Sequence, residues 1–247
     1  TYQFNEDLFA KVTTMPGATN HGLVMFFDWS GSMQYNLTQT LKQLYNLVWF
    51  CDRVKIPYRV YAFSDSYGRV PSYSRVESDD NVVTQDTNQK SDLNVSGFRL
   101  LEMFSDKMKK TEQSDAMHYW YMMGEYYANY RNWRDGGYPM SPPRNLHLGG
   151  TPLNHAIVAA MSIIPKFKSD NGIQKVNAVF LTDGVSHTVH KKMSNEDFDG
   201  YNKESYITDK TTNTTMCVKT SGYKREAQTT ILLELLKKRI PDMNVIG

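Results

Sequence analysis

Residues 23–27, Leu-Val-Met-Phe-Phe, form an unbroken apolar run between polar neighbours. A run this short predicts a strand buried on both faces of a parallel sheet. From Thr38 the period changes: Leu41, Leu44, Tyr45, Val48 and Cys51 share one helical stripe, with Thr38 placed to act as its N-cap. Pro57 closes that helix, and residues 58–63, Tyr-Arg-Val-Tyr-Ala-Phe, read as a second strand. Strand, helix and strand within about 40 residues make a βαβ unit.

Residues 64–97 are polar, rich in Ser, Asp and Asn, and without a clear period, which predicts a surface excursion. Residues 98–108 read either as a short strand around Arg99 and Phe104 or as the start of a helix. The dense run Met117-His-Tyr-Trp-Tyr-Met-Met-Gly-Glu-Tyr-Tyr127 predicts a helix, and residues 135–143 a loop. Its Met and Tyr side chains suit a partner-binding face and packing against a sheet equally well. Helical periodicity returns after Pro152 through Ala156, Ala160 and Ile163, and residues 176–181 form another buried strand. Polar sequence containing Gly200 and Gly222 spans 186–224. A last helix over about 225–240 turns Ile231, Leu232, Leu235 and Leu236 inward and ends on Lys237, Lys238 and Arg239, which favour its C-terminal dipole. Residues 243–246 begin a further strand. The expectation is an α/β fold, doubly wound, with a mostly parallel central sheet flanked by helices. It forms a single domain over 1–247, with insertions at about 64–97, 109–148 and 186–224. The ends at Thr1 and Gly247 predict a fragment of a longer chain.

Composition narrows the function classes. Of 247 residues, 40% are hydrophobic and 22% charged, so a packed core is feasible and the composition argues against wholesale disorder. Twenty-eight basic against 26 acidic side chains argue against a surface built to hold nucleic acid. Two distant cysteines, Cys51 and Cys217, make neither a disulfide framework nor a four-cysteine zinc site, and a reducing cytoplasm is the simplest location. The apolar stretch at 156–164 is about half the length needed to span a bilayer, and no secretory signal opens the sequence.

The chemistry concentrates in three places. Asp28-Trp29-Ser30-Gly31-Ser32-Met33 follows the first buried strand directly. In open α/β sheets, ligands bind beyond the carboxyl ends of strands, where Asp28, Ser30 and Ser32 would project. Hard oxygen donors at alternating positions suit Mg²⁺. Gly149-Gly-Thr-Pro-Leu153 offers the Thr151 hydroxyl ahead of a helix, and Leu181-Thr-Asp-Gly184 offers Asp183 with Thr182 alongside. Three such segments can converge on one cation. With two carboxylates only, the ion keeps positive charge and an open position for an outside acidic group. A serine-hydrolase elbow is disfavoured because Trp29 stands where its first glycine belongs. A dehalogenase-type phosphatase needs a second Asp where Ser30 stands. His187 and His190 form a candidate zinc pair that lacks a third ligand.

This constellation resembles the von Willebrand factor A (VWA) domain and its metal-ion-dependent adhesion site (MIDAS). The family pattern is Asp-x-Ser-x-Ser, then a Thr in a second loop, then an Asp in a third. Asp28, Ser30, Ser32, Thr151 and Asp183 match it in order, and the resemblance covers residues 23–246. It implies a central, mostly parallel sheet with Mg²⁺ at its top, Mn²⁺ and Ca²⁺ being the alternatives. Within the family the chain looks most like the C-terminal domain of CobT-type cobaltochelatase subunits, including CobT-like proteins of tailed phages. That likeness rests on Asp-Trp-Ser-Gly-Ser-Met, the strand at 58–63 and the helix around Met122-Met123-Gly124. It implies a non-ATPase subunit whose metal site docks an acidic group of a CobS- or MoxR-like AAA+ ATPase, in the host cytoplasm if phage-encoded. This chain has no Gly-x-x-x-x-Gly-Lys-Ser/Thr loop, so the ATPase must be another chain. Neither a membrane nor a specific nucleic acid is expected as partner. An adhesive or structural domain binding an acidic ligand, and a metal-dependent phosphoesterase, are the competing expectations.

Overall fold

A computed structural model describes residues 20–65, 93, 95, 97–133, 142–143, 146–189, 205–218 and 224–247. In chain order its elements are β1 (His21–Asp28), α1 (Leu37–Val54), β2 (Tyr58–Asp65), β3 (Phe98–Ser105), α2 (Lys110–Trp133), α3 (Leu153–Asn171), β4 (Lys175–Leu181), β5 (Ser205–Asp209), β6 (Thr214–Val218), α4 (Lys224–Arg239) and β7 (Met243–Ile246). Five strands form one sheet in the order β3-β2-β1-β4-β7. Strands β2, β1, β4 and β7 run parallel, and β3 pairs antiparallel with β2 at one edge. Hence the protein is a mixed α/β fold with a mostly parallel, helix-flanked sheet.

The central position of β1 follows from its composition. Side chains alternate across a strand, so both faces must be apolar when both are covered. Val24 and Phe26 join a core with α3 and α4, whereas Met25 and Phe27 join a second core with α1 and α2. Phe26 also stacks between its cross-strand neighbours, with ring centroids 5.8 Å from Tyr61 and 4.8 Å from Phe180. Such aromatic pairs add about 0.5–1.5 kcal/mol each beyond their buried area. In the Met- and Tyr-rich helix, Met117, Trp120 and Met123 are buried against α1, while Tyr119 and Met122 face solvent.

Three local expectations change. Thr38 is not an N-cap: a 3₁₀ turn over Ser32–Tyr35 runs almost directly into α1, so the helix starts at Leu37 and Thr38 lies buried inside its first turn. Strand β2 continues two residues past Phe63 to Asp65, because Ser64 and Asp65 keep pairing with Arg99 and Phe98. That antiparallel pairing also decides the 98–108 segment in favour of a strand. Within 186–224, residues 205–218 form the β5–β6 hairpin, while Gly200 and Gly222 lie outside the described residues, as do most of 64–97 and of the 135–143 loop.

The hairpin is fastened to the helical layer by Arg239. Its guanidinium donates to both carboxylate oxygens of Asp209, to Thr211 Oγ1 at 2.6 Å and to the Met161 carbonyl at 3.3 Å. Arg239, followed by the Thr211 N–H and the Thr212 hydroxyl, holds the Asp209 carboxyl below its ordinary value against an opposing burial effect. A depressed folded-state pKa contributes stability that is present above the unfolded value of 3.8 and is lost as pH falls through the folded value. Asp209→Asn should therefore cost about 1.5–3 kcal/mol at pH 7, the range for hydrogen bonds to a charged group. Urea unfolding down to about pH 3 should show the difference between wild type and variant shrinking only below about pH 4.

Candidate metal centre

The chain leaves β1 for β2 on one side and later returns to place β4 on the other. The crevice between the carboxyl ends of β1 and β4 is thus a topological switch point, where α/β sheets bind ligands. Register does the first positioning. Phe27 pairs with Leu181, so the next residues, Asp28 and Thr182, are neighbours, and Thr182 Oγ1 donates to Asp28 Oδ2 at 2.7 Å.

Trp29 anchors the following loop. Its ring is buried edge-on to Trp120 and Tyr127, with centroids at 5.0 and 6.0 Å, and its Nε1 donates to the Leu146 carbonyl at 2.8 Å. With Trp29 fixed on the α2 side, Ser30 forms a parallel bridge with Gly149, and the Gly31 N–H donates to the Gly149 carbonyl at 2.9 Å. The Gly149–Thr151 turn is thereby paired alongside the Asp28–Ser32 loop. Ser30 Oγ lies 3.0 Å from Ser32 Oγ, and Ser32 Oγ donates to Asp183 Oδ1 at 2.9 Å. Gly184 borders both Thr151 and Ser32: a Cβ there would stand 3.4 Å from Thr151 Oγ1 and 3.8 Å from Ser32 Oγ. The structure therefore brings Asp28, Ser30, Ser32, Thr151 and Asp183 to one place. Asp28, Ser30 and Thr151 are buried, and Ser32 and Asp183 are exposed.

Electrostatics make this cluster unsettled on its own. Asp28 is fully buried, and its Oδ1 has no hydrogen-bond partner among the described residues. Burial pushes its carboxyl up to about 6; the Thr182 and Ser30 hydroxyls oppose the shift, and the nearby Asp183 and Asp65 carboxylates add to it. An unanswered buried carboxylate oxygen facing hydroxyls and a second carboxylate fits a hard divalent cation. The donors present are two carboxylates and three hydroxyls, a set too poor in acidic and imidazole groups to be a zinc site. No cluster of three or more His, Cys, Asp or Glu placed to hold a metal occurs among the described residues. His187 instead turns its Nδ1 towards Asp65 Oδ2 at 3.7 Å, and His190 lies outside the described residues.

Asp65 is the participant that sequence reading missed. It is 5% exposed, and its Oδ1 accepts the Gly150 N–H at 2.8 Å. A Cβ on Gly149 would meet Asp65 Oδ1 at 2.5 Å and Ser64 Oγ at 2.6 Å; one on Gly150 would meet Asp65 Oδ2 at 2.5 Å. The glycine pair is therefore needed so that the Thr151 turn can close onto the end of β2. Buried Arg99 secures that end from β3, donating from its Nη2 to the Asp65 carbonyl at 2.6 Å and to the His147 carbonyl at 3.2 Å. The available signal was the Ser64-Asp65 pair directly after an apolar strand, hidden because the strand was ended at Phe63.

Comparison with family models, with curated proteins and with solved structures finds no match for this chain. The arrangement yields a direct expectation. Asp28→Asn removes a buried charge, so in metal-free buffer the variant should melt at or above the wild-type temperature. If the cluster holds Mg²⁺, the ion at tenfold its Kd should stabilise wild type by about 1.4 kcal/mol. That corresponds to a shift of roughly 3–6 °C for a domain of this size. The Asp28→Asn variant should show no such shift in differential scanning fluorimetry.

Proposed function

We propose that the chain is a Mg²⁺-dependent protein-interaction domain of the VWA type, with Asp28, Ser30, Ser32, Thr151 and Asp183 as its MIDAS. The observation that carries this reading is the buried Asp28 carboxylate, one oxygen of which is left without a partner among the described residues. A divalent cation held there would supply concentrated positive charge and a coordination position for an incoming oxygen donor. Asp28 and the Ser30 and Thr151 hydroxyls would hold the ion from below. Ser32 and Asp183 stand on the solvent side, where a partner approaches. A set completed by neutral hydroxyls, which are weak donors, favours docking of an outside Asp or Glu as a stronger oxygen ligand at the open coordination position.

The sequence likeness to CobT-type subunits narrows the partner to a ring-forming AAA+ ATPase of the CobS or MoxR kind, supplying the acidic side chain. Different affinities of the site for that group in successive nucleotide states would couple ATP hydrolysis to remodelling. In a cobaltochelatase setting, Co²⁺ is the cargo inserted into a corrin-like ring, and other subunits supply the ATPase and the ring-binding surface. No helix among the described residues is long and apolar enough to cross a membrane.

The test is binding of this chain to a purified CobS-type or MoxR-type ATPase, with Mg²⁺ and then with EDTA. Retention in Mg²⁺, release in EDTA, and a loss of at least about tenfold for Asp183→Ala are expected, a tenfold loss being about 1.4 kcal/mol. Folded Asp28→Ala or Asp183→Ala protein that keeps full affinity in EDTA contradicts the reading.

A further inference from the structure

Thr151 and Asp183 sit on separate loops, and a buried pair of carboxamides ties together the segments that follow them. Asn154, in the first turn of α3, is fully buried, and Gln228 of α4 is 9% exposed. The Asn154 backbone N–H donates to Ser186 Oγ at 2.7 Å. Its Nδ2 donates to the His187 carbonyl at 3.1 Å and to Gln228 Oε1 at 2.9 Å, while its Oδ1 accepts from Thr229 Oγ1 at 2.7 Å. Gln228 grips Val189 at both ends: its Oε1 accepts the Val189 N–H at 2.7 Å and its Nε2 donates to the Val189 carbonyl at 2.8 Å. The His187 N–H closes the circuit on the Thr151 carbonyl at 3.1 Å.

Three segments are locked by this clasp: the helix that follows Thr151, the loop that follows Asp183, and α4. Amide side chains are costly in a core unless satisfied, and satisfied networks hold one geometry more firmly than apolar packing does. Here both oxygens and both amide nitrogens are engaged, directly behind two of the candidate ligands. We infer that the Asn154–Gln228 clasp sets the width of the cation cavity and thereby its preference for Mg²⁺ over Ca²⁺; this rests on the metal reading above. Mg²⁺ requires oxygen donors at about 2.0–2.1 Å in near-octahedral order, whereas Ca²⁺ accepts about 2.3–2.6 Å and irregular shells. A frame that loosens therefore penalises Mg²⁺ more. Asn154 and Gln228 act through the loops and are positioning residues.

The experiment uses the full chain and isothermal titration with Mg²⁺ and, separately, Ca²⁺. Gln228→Met keeps side-chain length and removes the hydrogen bonds; Thr229→Val removes the bond to Asn154 Oδ1 while leaving Gln228 in place, and carries the test if the first variant does not fold. Gln228→Met should weaken Mg²⁺ binding about tenfold and Ca²⁺ binding by less than about threefold. Thr229→Val should move the Mg²⁺:Ca²⁺ ratio in the same direction by a smaller factor. A merely structural role would scale both affinities alike. Equal proportional losses, or unchanged affinities in folded variants, overturn the inference. Wild-type protein that binds neither ion overturns the metal reading itself, and this inference with it.

Discussion

The fold is organised around a buried carboxylate that the described residues do not fully satisfy. Parallel pairing of β1 with β4 carries Asp28 to the switch point and buries it completely, yet among the described residues only its Oδ2 has a hydrogen-bond partner, the Thr182 hydroxyl. Burial opposes ionisation there, and the Asp183 and Asp65 carboxylates nearby oppose it further. A fold selected for stability alone would place an amide or an apolar side chain at that position. Keeping the carboxylate makes sense where a positively charged ligand completes it.

Around that residue the structure is rigid below and open above. Trp29 fixes the Asp28–Ser32 loop through α2, Asp65 and Arg99 fix the Gly149–Thr151 turn through β2 and β3, and Asn154 and Gln228 fix the Asp183 loop through α3 and α4. Every layer of the fold thus contributes one brace. Ser32 and Asp183 remain exposed at the top. Bracing of this kind suits the docking role proposed above, because the ordering cost is then met during folding rather than during binding.

Much of this was legible in the sequence, for physical reasons that differ by element. The strands at 23–27 and 176–181 could be read because a strand covered on both faces has no polar side to blur it. The convergence of Asp28, Ser30, Ser32, Thr151 and Asp183 could be read because each follows a strand or precedes a helix at one edge of the sheet. Thr38 misled because its spacing suits a cap, and nothing local announces the 3₁₀ turn that feeds α1. The end of β2 was placed two residues early because Ser64 and Asp65 are polar, and only their pairing with β3 makes them strand. Asp65, Asn154 and Gln228 escaped notice for a common reason. Their partners lie 85, 33 and 39 residues away, so their roles exist only once the chain has folded.

The most direct measurement of the central claim is anomalous diffraction from crystals soaked in Mn²⁺, a close stand-in for Mg²⁺ with oxygen ligands. One strong peak between Asp28 and the Ser30 and Ser32 hydroxyls, absent from Asp28→Ala crystals, is the predicted result. Crystals that show the Asp28 pocket filled by water alone, or the ion bound elsewhere on the molecule, would contradict the account.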